Sequence, residues 1–390
     1  MMIGYNEYRT NLATGQKCDA SSRACVVRAD GKGRRILTPK LNEKPDTGTM
    51  LSGWSPDGRY AILFSQWESP ENAAWEMENL TYRMTEGWLL DSCLYDMRTG
   101  KLDNLTAVDR VSIYNGGLFF IGGESGKLGF TAMVDGVSHP FIMDRDGHNK
   151  QDLLAPGSGF TYGFSSTPDG KLVSYHEEYQ IYIADANGRN RTKVDTGNPF
   201  NFGPRWSPDG QWVAFLSGCN PPSDVYVCRR DGTGVRKVGP RNGYRGFAYR
   251  YDIFHFHNGD SDLFDWSGDG KWLYYSAQFG QAVEVMRVRV DDGTVERLTH
   301  SDENFTFEHP PLVRNGPTKT GIENYGAQVS PDGKWVVFVS NRTGTRQLYV
   351  MPAPGGEEYA VTDVKPGWGA FLPRWRPMPD TAKGGGMPPH

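Results

Sequence analysis

Five times this chain writes a strand that runs into a Pro-Asp-Gly-type turn and out again into an apolar strand. The copies are Gly53-Trp54-Ser55-Pro56-Asp57-Gly58, Ser166-Thr167-Pro168-Asp169-Gly170, Trp206-Ser207-Pro208-Asp209-Gly210, Trp266-Ser267-Gly268-Asp269-Gly270 and Val329-Ser330-Pro331-Asp332-Gly333. Proline presets one turn dihedral and glycine accepts a positive φ, so each copy reads as a hairpin. Repetition at this scale marks stacked or radial supersecondary units.

Each unit reads as four strands. In the cleanest one, Phe202 to Trp206 is strand A, Gln211 to Leu216 strand B, Asp224 to Arg229 strand C and Val235 to Val238 strand D. The second turn recurs as Asp231-Gly232, Asp185-Ala186-Asn187-Gly188, Asp146-Gly147, Asp291-Asp292-Gly293 and Arg98-Thr99-Gly100, and a degenerate unit surrounds Gly123-Glu124-Ser125-Gly126. The ends complete each other. Pro373 to Pro377 reads as a strand A, while Ile3 to Thr10, Ala24 to Ala29 and Arg34 to Leu37 read as B, C and D without an A. Joined, they close a ring and remove its exposed edges. The expectation is an all-β, seven-bladed propeller over residues 1–381, closed by a blade shared between the termini, with 382–390 a disordered tail.

This WSPDG-like repeat resembles that of the TolB-type propellers, over nearly the whole chain. Within them the chain is most similar to oligogalacturonate lyases and related uronate-cleaving propellers. The resemblance specifies fold far more than function, because such propellers serve as binding scaffolds, peptidase gates and sugar lyases alike.

In a four-stranded blade the A–B and C–D turns lie on one face of the disc and the B–C and D–A connections on the other. Units run about 40 residues where minimal. The excess length falls at 66–88, 240–262 and 301–325, all on the second face. Long loops on a rigid ring commonly build a binding site. Six of the eight histidines map there, namely His139, His176, His255, His257, His300 and His309. At the channel mouth the strand-A entrances supply Asn115, Tyr162, Asn201 and Asn324, with Arg205 one residue before its tryptophan; Tyr244 and Arg245 lie in a D–A connection. His255 and His257 alternate along an extended segment and so share a side. With Glu308 and His309 they form a candidate set for a divalent metal: manganese, calcium or zinc. Pro70 to Glu76 reads as a short helix with Ser69 as N-cap, bringing Trp75 as a sugar-stacking candidate.

β-Elimination beside a uronate needs a base for the C5 proton, a cation for the carboxylate and an acid for the leaving oxygen. His176, His257, His309, Arg205 and Tyr162 are the catalytic candidates; Asn115, Asn201, Arg245, Tyr244, Asn324 and Trp75 are the substrate-binding ones. Oligogalacturonate lyases carry an HPHP-like metal stretch where this chain has Glu323-Asn324-Tyr325-Gly326. Phe202 and Gly203 stand where their base histidine falls, which leaves cleavage to His257 and His309. The resemblance therefore implies a lyase acting on a uronic-acid-containing glycan. The alternatives are a non-catalytic TolB-like propeller binding protein or glycan, and a glycoside hydrolase using carboxylates such as Glu308 and Glu323.

The charge balance, 42 Lys and Arg against 46 Asp and Glu, argues against a nucleic-acid partner. No apolar run approaches the ~20 residues of a membrane span. GxSxG, P-loop and HExxH signatures are missing, so peptidase and nucleotide chemistries lack support. The partner expected is an acidic oligo- or polysaccharide, and the chain a monomer or simple homo-oligomer. Among five cysteines, Cys18 with Cys25 and Cys219 with Cys228 each flank a loop and either pair is a possible disulfide, with five reduced thiols the alternative. A bridge would imply a mature periplasmic or secreted form; without one the chain reads as cytoplasmic.

Overall fold

The computed structural model describes residues 1–9, 22–44, 46–79, 83, 86–123, 126–155, 157–219, 222–246, 264–308 and 320–378. These residues form seven four-stranded antiparallel sheets. We number the blades I to VII from their innermost strands, which are Thr47–Trp54, Asn115–Phe120, Thr161–Ser166, Phe200–Trp206, Asp265–Trp266, Asn324–Val329 and Trp368–Trp375. Blade VII takes its inner strand from the C-terminal end and its other three, Met2–Arg9, Ser22–Arg28 and Arg35–Ile36, from the N-terminal end. The ring closes as the strand grammar predicts.

The Pro-Asp-Gly turn owes its form to four local interactions. Ser207 Oγ donates to Asp209 Oδ1 at 2.5 Å, the Gln211 N–H donates to the same oxygen at 3.0 Å, and the Trp212 N–H donates to Ser207 Oγ at 3.0 Å. Gly210 completes the turn at φ 67°, a left-handed conformation that costs a non-glycine residue roughly 1–2 kcal/mol. Ser55, Ser267 and Ser330 repeat the pattern, and Thr167 replaces serine in blade III.

Because every blade is covered on both faces, the core is divided among the blade interfaces. Seven apolar clusters fill the seven interfaces. Between IV and V, for example, Phe202, Leu216 and Val227 meet Trp266, Leu273 and Tyr275. A fully buried side chain of this size contributes about 1.5–3 kcal/mol, so the disc is rigid around its axis.

The helix Pro70–Asn79 forms in the B–C connection of blade I, with the Asn72 N–H donating to Ser69 Oγ at 3.1 Å as an N-cap should. Of the two readings of the cysteines, the described ones follow the unbridged alternative. Cys25, Cys93, Cys219 and Cys228 all carry free thiols. Cys228 pairs across the hairpin with Val213, whereas Cys219 lies beyond the Gly218–Ser223 pair at the other end, so neither can reach the other. Cys18 lies outside the described residues, and its expected partner Cys25 is unbridged. Burial pushes the thiols of Cys25, Cys93 and Cys228 up to about 12. No helix among the described residues is long and apolar enough to cross a membrane.

Candidate functional site

Each innermost strand runs from the insertion-bearing face toward the face that carries the Pro-Asp-Gly turns. Residues at its start and end therefore belong to opposite faces of the disc.

At the start of strand A in blades III and IV the insertion-bearing face carries a wall of aromatic rings. Phe160 and Tyr162 are two residues apart and share a side; their ring centroids lie 6.3 Å apart with planes only 11° apart. Tyr162, 37% exposed, continues to Phe202 at 6.0 Å and 26°. Phe202 and Phe200 are 6.0 Å apart at 3°. His176 sits opposite Tyr162 in the neighbouring strand, fully buried, 4.4 Å from Phe202 and 5.9 Å from Tyr179 with nearly parallel rings.

The turn that presents Tyr179 is strained. Glu177 pairs with Gln180, leaving Glu178 and Tyr179 as a two-residue hairpin loop with φ of 47° and 59°. Such loops ordinarily use Asn-Gly, because both central residues are left-handed. Glu178 Oε1 accepts from the Phe160 N–H at 2.6 Å, Glu177 Oε1 from the Gly159 N–H at 2.9 Å, and the Tyr179 carbonyl from Asn201 Nδ2 at 2.9 Å. The surroundings hold a conformation that the sequence alone disfavours, a pattern concentrated at binding sites.

The residues named from sequence separate into distinct groups. Tyr162 is on this wall. His176 is behind it, fully buried and packed against the rings of Tyr162 and Phe202. Asn201 and Asn324 are corrections to the substrate-binding set, because both are fully buried blade clamps with their donors and acceptors used internally. Asn201 Nδ2 donates to the Tyr179 and Asn198 carbonyls and its Oδ1 accepts from Ser217 Oγ at 2.7 Å. Asn324 Nδ2 donates to Glu284 and Ser301 while its Oδ1 accepts from Arg342 at 2.9 Å. Asn115 is equally buried and donates to the Leu90 and Ser112 carbonyls.

Tyr244 is also buried, in the apolar cluster that includes Val283 and Tyr325, with the Arg241 guanidinium 4.8 Å over its ring. Arg245 beside it is exposed. Trp75 carries the Arg83 guanidinium 4.4 Å over its ring, so one of its faces is already covered. His255, His257 and His309 lie outside the described residues, and Glu308 is exposed. Among the described residues no three His, Cys, Asp or Glu side chains converge as a metal site.

Arg205 is corrected in place. It precedes Trp206 and the Ser207–Gly210 turn, so it belongs to the turn face, not the insertion-bearing face. There it lines a cavity of about 360 Å³ together with Trp206, Pro208, Asp265, Trp266 and Phe120. Sequence reasoning named Tyr162 but not its ring neighbours Phe160, Phe202 and Tyr179. The alternation of Phe160 with Tyr162 and of Phe200 with Phe202 was the available signal.

No protein-family model matches the chain. An uncharacterized protein of Agrobacterium fabrum is 26% identical over 302 residues, covering 74% of this chain and 87% of that protein. Dipeptidyl-peptidase 5 of Porphyromonas endodontalis is 22% identical over 217 residues, covering 46% of this chain; the match spans only 29% of the peptidase. Among solved structures, the β-propeller domain of the trilobed protease from Pyrococcus furiosus aligns with a TM-score of 0.54 at 14% identity, over 93% of this chain and 94% of that one. TolB from Acinetobacter baumannii gives 0.46 at 13% identity over 87% and 85%. An oligogalacturonate lyase in complex with manganese gives 0.48 at 12% over 65% and 68%. The chain is thus similar to TolB-type and related propellers, and at these identities the likeness shows the fold alone.

Proposed function

We propose that this chain recognises a carbohydrate on its insertion-bearing face, of the uronic-acid-containing kind that its sequence resemblance suggests. The observation that carries the reading is the Phe160–Tyr162 wall. Two nearly parallel rings, one of them more than a third exposed, offer the flat apolar surface on which the C–H face of a pyranose packs, and the Tyr162 hydroxyl adds a polar handle. The strained Glu178–Tyr179 turn and the buried His176 keep that wall fixed, which reduces the ordering cost of binding. Arg245, exposed on the connection leaving blade IV, is the cation assigned to the sugar carboxylate.

A second reading adds cleavage by β-elimination, favoured by the exposed phenol of Tyr162. His257 or His309 removes the C5 proton, the electron pair forms the C4–C5 double bond, and the C4–O bond breaks. Tyr162 protonates the departing oxygen. A panel of uronate-containing oligosaccharides tests both. Calorimetric binding of at least one supports recognition, and binding of none overturns it. Growth of the ultraviolet absorbance of an unsaturated uronate, abolished by His257→Ala or His309→Ala, supports elimination; no such product from any bound glycan overturns that step alone.

A further inference from the structure

The turn face holds a second constellation, remote from the aromatic wall. In four blades a tryptophan ends the innermost strand. Three of these indoles donate to the backbone carbonyl of the preceding blade: Trp54 to Arg374 at 3.1 Å, Trp266 to Arg205 at 3.3 Å and Trp375 to Gln328 at 2.9 Å. The fourth, Trp206, breaks the pattern. Its indole nitrogen is buried without a hydrogen-bond acceptor among the described residues, although such a donor ordinarily finds one. The corresponding position in blade III is Ser165, whose hydroxyl donates instead to the Pro204 carbonyl at 2.9 Å.

Arg205 adjoins this orphaned donor. Burial disfavours its charge, and only the charge of Asp265 acts in its support; no hydrogen bond or ion pair among the described residues engages the guanidinium. A guanidinium carries five donors in a planar fork and remains protonated, and here it lines a half-open throat with none of them used by the described residues. Asp265 does not neutralise the throat. Its Oδ2 accepts from the Val329 N–H at 2.9 Å, burial raises its carboxyl above the usual range, and the charges of Arg374 and Arg205 both act on it. Trp206 and Arg205 line the same cavity of about 360 Å³, walled by Phe120, Pro168, Pro208 and Trp266, within the size range of small-molecule sites.

We propose that this throat is a binding site for a small ligand bearing a phosphate or carboxylate, with Arg205 gripping the anion and the tryptophan and proline side chains walling the remainder. Phosphate and carboxylate each present a pair of oxygens that can accept the two parallel N–H donors of an arginine fork. The site is independent of the glycan reading, since it occupies the opposite face.

The test is a titration of the full chain with inorganic phosphate and, separately, with galacturonate, read by calorimetry and by the indole N–H resonances of the eleven tryptophans. The resonance absent from Trp206→Phe should shift on titration. Arg205→Met should weaken phosphate binding about tenfold or more. A shift of the Trp206 resonance with phosphate identifies a phosphoryl ligand and with galacturonate a carboxylate one; either supports the site, since galacturonate held at the opposite face leaves that resonance in place. No binding of either anion, or binding unchanged in Arg205→Met, overturns it. Should Arg205→Met fail to fold, the Trp206 resonance of the unaltered chain decides: its failure to move with saturating anion refutes the proposal.

Discussion

The Trp54 indole donates to the Arg374 carbonyl at 3.1 Å, joining two residues 320 positions apart in sequence. This bond links blade I to the blade built from both chain ends. It shows how closure works: the last strand is gripped by the first complete blade on one side and by Met2–Arg9 on its edge.

Closure should therefore depend on the final strand. Trp375 is buried between blades VI and VII and donates to the Gln328 carbonyl at 2.9 Å. Trp375→Ala should cost about 3–5 kcal/mol, visible as a lower urea midpoint.

The repeated serine can be tested separately from the core. Ser207→Ala removes both the donor to Asp209 and the acceptor for the Trp212 N–H, with an expected loss of about 1–2 kcal/mol. Ser207→Thr should retain most of the stability, since blade III already uses Thr167 for the same bonds. Thermal unfolding of the two variants checks the ranking.

The buried asparagines should behave as structural parts. Asn201→Ala strands the Tyr179 carbonyl and should lower stability by about 1–3 kcal/mol. Comparison with Asn324→Ala extends the point to blade VI. A large loss of glycan affinity with unaltered stability in both variants would restore them to the binding set.

Acid sensitivity should concentrate at Glu7. Burial pushes its carboxyl up, but hydrogen bonds from Arg34 and the charges of Arg23 and Arg34 prevail and hold it below the ordinary range. A carboxyl depressed in the folded chain adds stability above its unfolded value, and that stability is lost as pH falls through the folded value. Glu7→Gln should be less stable than the unaltered chain near pH ~7, with the gap closing toward pH ~3. Denaturant midpoints across that range measure it.

The fold was legible because its determinants are local. Ser207, Pro208, Asp209 and Gly210 make their own turn, and incomplete strand sets at the two ends imply a shared blade. The site was less so. Asn201 looks like a channel-mouth ligand in sequence, yet its partners Tyr179 and Ser217 come from other strands. Cys219 and Cys228 flank one loop but occupy opposite ends of a hairpin, which only register reveals. Arg205 could have been assigned to the turn face from the grammar itself, since it immediately precedes Trp206. The strain at Glu178 and Tyr179 left only a faint trace, a tight turn without asparagine or glycine.

The wall formed by Phe160 and Tyr162 is the centre of the functional account. The most direct measurement is calorimetric titration of Tyr162→Ala with whichever uronate oligosaccharide the unaltered chain binds, alongside its thermal unfolding. The account predicts about tenfold weaker binding, ~1.4 kcal/mol, with little change in stability because the ring is already 37% exposed. Affinity equal to that of the unaltered chain would contradict it.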